Sequence, residues 1–263
     1  MLVHPTTRAL LALGVVLAAW GCTHRIPLPP RLAVSGTAEL RERMVAARPT
    51  VQKYFAEARM TYFGPAGTRV KGSASLAVAR PHSLRYDLIG PHGGVIEAFA
   101  TNGTELQLLI AGENRFLHGP ATPANVDRLL SFVPLRLDPE GWVGLLFGDI
   151  EVPPEAEVRY DEEQGLFAVT WQSGDATVRA GVDPETSRVM RAVMRRGDEV
   201  ISDVEIEERD ERGLPVQLRM KAPSADIDVR VVLRDVEHDP PSLGPDAFVL
   251  EPPRGAVPEY LGP

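Results

Sequence analysis

Residues that could perform acid–base or metal chemistry are few and scattered along the chain. Six histidines occur without metal-ligand spacing: His4, His24, His82, His92, His118 and His238. Asp226 and Asp228, like Glu205 and Glu207, are two residues apart, so each pair shares a strand face, but their apolar neighbours favour a solvated outer strand. The sequence contains no GxSxG, HExxH or phosphate-loop motif. It therefore predicts neither catalysis nor a metal or cofactor site, and only a buried histidine–carboxylate pair would favour an enzyme.

The only cysteine, Cys22, stands where acylation could occur. It follows an apolar run, residues 9–19, which His4 and Arg8 precede. A secretory signal typically has a basic start, a short apolar run and a small residue before the cleavage site. The apolar run here is too short to span a bilayer. We therefore expect residues 1–21 to be a signal peptide. A lone cysteine in an exported chain has no disulfide partner, which favours acylation of Cys22. The alternative is an ordinary signal peptide followed by an incidental cysteine.

The sequence Ala19-Trp20-Gly21-Cys22 resembles the bacterial lipobox, in which the cysteine receives acyl chains such as palmitate and becomes the mature N-terminus. This resemblance implies lipid attachment at Cys22. Thr23, in place of an aspartate, implies anchoring in the outer membrane with the domain facing the periplasm. The proline-rich residues 22–35 are predicted to be an extended, lipidated tether.

The charge of the chain disfavours nucleic acid as a partner. The net charge is −8, and because Arg8 is the only formal charge in residues 1–21, the chain from Cys22 onward carries −9. A protein of this charge does not attract a polyanion through its overall field.

Residues 68–119 predict consecutive antiparallel strands. Every second residue from 70 to 78 is apolar or small, and the same period returns at Leu84, Tyr86 and Leu88. Residues 90–94 form a glycine-rich turn, and Asn102-Gly103 is a strong hairpin signal because both residues tolerate positive φ. Strand patterns begin near residue 51 and resume from 157 to 233, so we expect about 10–11 strands joined by short turns.

Three short helices are predicted beside these strands. The first covers residues 35–47, with Ser35 or Thr37 as its N-cap. The second covers residues 124–130 after Thr122, and the third covers residues 141–147 between Asp138 and Gly148. The last two helices are apolar on one side and lie between two sets of strands, so we expect them to plug the concave face of a curled sheet. The fold class is therefore mainly β with a few helices.

A set of large apolar residues falls on the inward side of the predicted strands and helices. Its members are Tyr54, Met60, Leu84, Tyr86, Leu88, Leu106, Leu108, Trp142, Phe147, Trp171, Leu218 and Met220. In any β protein such residues form a core first. In a wide, incompletely filled barrel the same residues line a cavity that can hold a ligand. The pattern alone leaves both interpretations open.

The chain also resembles the LolA/LolB lipoprotein-carrier superfamily, and especially its LolB-like outer-membrane lipoproteins. Most of residues 36–256 take part, and the matching residues are mainly at turns: Gly72, Arg80-Pro81, Leu84-Arg85, Gly90-Pro91, Gly93, Asn102-Gly103 and residues 116–119, 213–215, 235–237 and 248–255. The resemblance implies a strongly curved, unclosed antiparallel β-barrel over residues 36–256, with residues 257–263 as a C-terminal tail. It also implies an apolar cavity for lipoprotein acyl chains.

In LolB proteins a leucine at the tip of a loop between early strands helps to insert cargo into the membrane. The corresponding membrane or transfer loop here is formed by Gly90, Pro91, His92, Gly93 and Gly94, with His92 at its tip. The resulting hypothesis is a non-enzymatic outer-membrane lipoprotein that binds phospholipid or lipoprotein cargo, with a periplasmic carrier or another envelope protein as partner. The alternative is a structural or assembly lipoprotein with a solid barrel, which binds another envelope protein.

Overall fold

The computed structural model describes residues 25–130, 135 and 137–262, and within them one curved sheet dominates the molecule. The predicted signal peptide, residues 1–21, and Cys22 lie outside these residues. The strands are β1 Lys53–Phe63, β2 Arg69–Ala79, β3 Ser83–Ile89, β4 Val95–Thr101, β5 Glu105–Ile110, β6 Arg115–Pro120, β7 Glu157–Asp161, β8 Leu166–Ser173, β9 Ala176–Val182, β10 Val189–Arg196, β11 Glu199–Arg209, β12 Pro215–Ala222, β13 Ile227–His238 and β14 Val257–Tyr260.

The sheet is unclosed, with the spatial order β14-β6-β5-β4-β3-β2-β1-β13-β12-β11-β10-β9-β8-β7. It confirms the predicted mainly β, unclosed fold, but the described strands number fourteen rather than ten or eleven. The additional strand at one edge is β14, which pairs parallel to β6 within the segment that we expected to be a tail. Pro258 and the surrounding glycines and prolines concealed this strand, because they are typical of loops and edges.

Three α-helices accompany the sheet: α1 Thr37–Ala46, α2 Pro123–Leu129 and α3 Pro139–Phe147. The predicted caps of α2 and α3 are confirmed. The backbone N–H of Asn125 donates to Thr122 Oγ1 at 3.3 Å, and that of Gly141 donates to Asp138 Oδ1 at 2.8 Å. Gly148 ends α3 with φ of +74°, as its sequence position predicted.

The predicted cap of α1 is wrong, because neither Ser35 nor Thr37 caps the helix. Gly36 occupies the N-cap position. The carboxylate of Glu39 instead accepts hydrogen bonds from the backbone N–H and the hydroxyl of Ser35, both at 2.8 Å. The backbone bond is the largest cause of the lowered pKa of Glu39, about 2, and the Ser35 hydroxyl and the Arg43 guanidinium lower the pKa further. The carboxylate therefore ties the start of α1 to the segment before it.

Glu39→Gln is expected to lower the melting temperature at pH 7 and to have a much smaller effect at pH 2. The pKa of Glu39 is lower in the folded chain than in the unfolded chain, so its stabilisation is present above pH 4.5 and is lost as the pH falls towards 2. Thermal unfolding followed by circular dichroism across this range measures the difference. Glu42→Gln, on the same helix, is the control. An equal decrease in melting temperature at pH 7 and at pH 2 would contradict the hydrogen bonds assigned to Glu39.

The predicted hairpin between β4 and β5 is confirmed with the expected strand bounds. Asn102 Oδ1 accepts from the backbone N–H of Thr104 and of Glu105, at 3.0 and 2.9 Å. Gly103 has φ of +89°, a conformation that strains residues with a side chain. Local turn chemistry is therefore sufficient to set the register of these two strands.

Two apolar clusters cover the concave side of the sheet. In the first cluster, α2 and α3 pack against strands β1–β6 and β11–β13. In the second cluster, α1 and the segment before it pack against β8–β10 through residues such as Leu40, Phe167 and Val182. A smaller group on the outer face joins Ala77 of β2 to Leu243 and Phe248. The two helix-bearing clusters stand side by side, with α1 and α3 on either side of the boundary between them.

Successive antiparallel strands place their connections at two opposite rims of the sheet. We call one the proximal rim; it carries the connections at residues 80–82, 102–104, 162–165, 183–188 and 210–214. The distal rim carries the connections at residues 64–68, 90–94, 111–114, 174–175, 197–198 and 223–226.

Candidate functional site: a cleft between two helices and the sheet

A cleft of about 760 Å³ lies where the two clusters meet. One wall is α1, through Met44 and Val45, and the opposite wall is α3, through Gly144 and Leu145. The floor is formed by inward-facing residues of β8–β11: Trp171, Val178, Ala192, Met194 and Val204. Gly141 and Gly144, which have no side chain, also line the cleft on the α3 side. The volume is in the range of sites that enclose small organic ligands.

One end of this cleft is polar. Arg80 Nη2 lies 2.6 Å from Asp149 Oδ2, and Arg48 Nε lies 3.7 Å from the same oxygen. The guanidinium of Arg80 also stands 4.0 Å above the ring of Phe147. The carboxylate of Asp149 is only 10% exposed, so two arginines compensate one shielded negative charge. The cleft is therefore amphipathic, with an apolar floor and an ionic end at the proximal rim.

Arg209 stabilises the backbone next to this ionic end through three hydrogen bonds. Its Nη1 donates to Gly213 O at 2.7 Å, and its Nη2 donates to Val189 O at 2.7 Å and to Gly148 O at 3.3 Å. Burial is the main cause that lowers the pKa of Arg209, to about 10, so the side chain stays charged at neutral pH. The guanidinium thus joins the C-terminal end of α3 to the β9–β10 and β11–β12 connections.

The predicted cavity residues lie mainly outside the cleft. Those buried in the first cluster are Tyr54, Leu84, Tyr86, Leu106, Leu108, Trp142, Phe147 and Met220, and Met60 and Leu88 pack against it while partly buried. Leu218 is buried at 1% exposure. Only Trp171 of the predicted set lines the cleft. The structure therefore brings most of the set together as packed core.

Sequence reasoning did not include most of the residues that line the cleft. Met44 and Val45 are apolar residues of the predicted first helix, but nothing in the pattern indicates that they face an open space. Ala192 and Met194 belong to a strand whose alternation predicts burial equally well. The signal that could have found the cleft is the concentration of small residues, Gly141, Gly144 and Ala192, where a filled core would have large ones.

The predicted transfer loop is a turn at the distal rim, between β3 and β4. Gly90 N donates to Gly94 O at 2.8 Å, and Gly93 adopts φ of +81°. His92 is exposed at the tip, as expected. Beside the turn, Val95 and Ile96 are 41% and 46% exposed. The turn is therefore polar at its tip and apolar at the start of the following strand.

Among the residues that the structure describes, His238 and Asp210 form a histidine–carboxylate pair, but its contacts are those of a structural pair. His238 Nε2 lies 2.6 Å from Asp210 Oδ2, and each side chain is 19% exposed. Asp210 Oδ1 accepts from the backbone N–H of Arg212 and of Leu214, both at 2.9 Å. The pair thus closes the β11–β12 turn against β13, which gives it a structural role.

Within the described ranges, no group of three or more histidine, cysteine, aspartate or glutamate residues is arranged to hold a metal ion. No helix in this same part of the chain is long and apolar enough to cross a membrane.

No protein-family model matches the sequence, and no curated protein is similar to it. Solved structures are similar in fold. A LolA-superfamily protein from Nitrosomonas europaea has a TM-score of 0.55 and 11% identity, over 83% of this chain and 99% of that one. A proposed outer membrane lipoprotein-sorting protein domain from Vibrio parahaemolyticus has a TM-score of 0.54 and 9% identity, over 80% of this chain and 94% of that one.

A DUF1329 family protein from Desulfovibrio piger has a TM-score of 0.54 and 14% identity, over 80% of this chain and 94% of that one. Structural similarity at sequence identities this low establishes the fold and does not establish a function. It confirms, at the level of architecture, the resemblance that the turn residues of the sequence indicated. The chain has the fold of the LolA superfamily, a curved, unclosed antiparallel sheet with helices on its concave face.

Proposed function

We propose that this protein is a non-catalytic, lipid-anchored outer-membrane protein that faces the periplasm and binds an acyl chain of a phospholipid or lipoprotein in the cleft between α1 and α3. The observation that carries this proposal is the cleft itself, with its floor of Trp171, Val178, Ala192 and Met194 and its ionic end at Asp149. Two structural neighbours, a LolA-superfamily protein and a proposed outer membrane lipoprotein-sorting protein domain, support the same class of cargo.

The energetics of such binding rest on hydrophobic burial. Each methylene removed from water contributes about 0.8 kcal/mol, so about six enclosed methylenes contribute about 5 kcal/mol before the cost of association. The ionic end suits the polar part of an amphiphile, because Arg80 and Arg48 can shift between Asp149 and an anionic headgroup. The mechanism is sequestration of a chain from water, with no bond made or broken.

Native mass spectrometry of the chain from Arg25 onward, produced without its signal and cysteine, tests the proposal. We expect an additional mass that matches phospholipid or an acyl chain, or uptake of such a lipid when it is added. A folded protein that is free of lipid and also fails to take up added phosphatidylethanolamine or palmitate would refute the carrier function.

The second candidate is a structural or assembly lipoprotein that binds another envelope protein. It is favoured by the distal rim, where Val70, Val95 and Ile96 are all more than 40% exposed. In that case Ile96→Asp would abolish capture of an envelope partner and leave lipid content unchanged. Under the carrier function with a transfer loop, the same variant would retain lipid but release it more slowly to vesicles.

A further inference from the structure

The segment that precedes α1, which the sequence predicted to be an extended tether, is bound to the domain. Ile26 N donates to Glu162 O at 2.8 Å, and Tyr160 Oη donates to Ile26 O at 3.0 Å. Leu28 and Val34 pack against the second cluster. Arg43 of α1 donates to Leu32 O and Ala33 O at 3.1 and 3.0 Å. The chain is therefore held in place from its first described residues.

This segment lies on the proximal rim. Glu162 belongs to the β7–β8 connection, and Arg31 stands 3.7 Å from Glu185 in the β9–β10 connection. Contacts already described join the same rim to α3 and to the end of β2, through Arg209 and Arg80. One continuous rim therefore extends from the docked segment to the ionic end of the cleft.

Chain length limits how far this rim can stand from an acylated Cys22. Three residue steps separate Cys22 from Arg25, and an extended chain covers at most about 3.6 Å per step. Arg25 must then lie within about 11 Å of the residue that carries the acyl chains. A docked domain on so short a connection cannot turn over freely above the membrane.

The turn at residues 90–94 lies at the other rim. It follows the seven residues of β3, which begins beside Arg80 at the proximal rim and extends over about 20 Å. The neighbouring β2 has eleven residues and spans about 35 Å between the two rims. The turn and the proximal rim are thus separated by more than the length of the connection to Cys22.

We propose that the proximal rim faces the membrane that holds the acyl chains, and that residues 90–94, with Val95 and Ile96, face away from it towards the periplasm. This orientation rests on the proposed acylation of Cys22. It places the ionic end of the cleft next to lipid headgroups. In this orientation the distal turn stands about 20 Å or more from the anchoring membrane, so it is presented to whatever approaches from the periplasm.

Site-specific fluorescence in vesicles tests the orientation, using the full-length acylated protein. Acylation occupies the only native thiol, so a cysteine introduced as Gln164→Cys or as His92→Cys is the only free one. Both positions are exposed, the first in the β7–β8 connection and the second at the tip of the distal turn. Each variant is labelled with the same dye and reconstituted in phosphatidylethanolamine–phosphatidylglycerol vesicles that contain a lipid-bound quencher.

We expect quenching at least about threefold stronger at position 164 than at position 92. Insertion of ten glycine and serine residues between Cys22 and Arg25 should bring the two values together, because the longer connection releases the restraint. Equal quenching in the parent protein, or stronger quenching at position 92, would overturn the orientation. The intact mass of the same sample separates the two hypotheses: an unacylated Cys22 overturns both the anchor and the orientation, whereas an acylated Cys22 with reversed quenching overturns the orientation alone.

Discussion

Ala192→Trp is expected to weaken binding of an acyl chain roughly fiftyfold. Ala192 is a half-buried residue on the floor of the cleft, between Ala180 and Val204 on the neighbouring strands. An indole at this position occupies the space of part of the chain. Excluding about three methylenes of the chain from the cleft costs about 2.4 kcal/mol of binding free energy. That cost corresponds to a roughly fiftyfold loss of affinity. Displacement of a fluorescent fatty acid by palmitate measures the change.

Ala225→Trp provides the matched control, because Ala225 is exposed at the distal rim. It introduces the same side chain away from the cleft and should leave the affinity within about twofold. Equal affinity of the Ala192→Trp protein and the parent, with both folded, would show that the cleft is not the binding site. The binding site would then have to lie outside the cleft.

Tryptophan fluorescence can locate the chain independently. After removal of residues 1–21 the protein retains Trp142 in the first cluster and Trp171 in the cleft. We expect brominated palmitate to quench a Trp142→Phe protein, whose reporter is Trp171, several-fold more than a Trp171→Phe protein. The reverse order would place the chain in the first cluster, where the sequence predicted the cavity.

Phe147→Ala is expected to lower the free energy of unfolding by about 3–5 kcal/mol. Phe147 is the last residue of α3, is fully buried, and meets the ring of Tyr54 edge to face at 5.3 Å. The guanidinium of Arg80 stands over the same ring, 4.0 Å from its centre. Truncation leaves a cavity in the first cluster and removes both ring contacts, so the loss exceeds that of burial alone.

Chemical denaturation followed by circular dichroism measures this loss. Phe63→Ala is the control, since Phe63 is a half-buried residue at the distal rim with Arg69 at 5.2 Å from its ring. The same truncation there should cost about 1 kcal/mol, because solvent already reaches the ring. Similar losses for the two variants would mean that α3 does not close the concave face as tightly as its contacts indicate.

Features governed by local chemistry were predictable from the sequence. The turn at Asn102-Gly103 depends on one glycine at positive φ and one side-chain amide, and both are present in the chain segment itself. The caps of α2 and α3 likewise involve residues three apart. The alternation of apolar residues identified the strands, and the glycine- and proline-rich turns carried the resemblance to the LolA fold.

Features that depend on distant residues were not predictable in this way. The strand β14 exists because residues 257–260 meet β6, more than 130 positions earlier, and its sequence resembles a loop. The bonds of Arg209 to three backbone carbonyls join segments that are separate in the chain. In the same way, the docking of residues 25–34 depends on the β7–β8 connection.

The sequence by itself determined most of the strands, the caps of α2 and α3, the curled mainly β architecture and the expected acylation site at Cys22. Only the tertiary structure decided which apolar residues are core and which line a cleft. Inward-facing side chains recur at every second residue of a strand, whether they face a packed helix or an open space. The distance between α1 and α3 makes that difference, and it follows from how two clusters, rather than two residues, pack on one sheet.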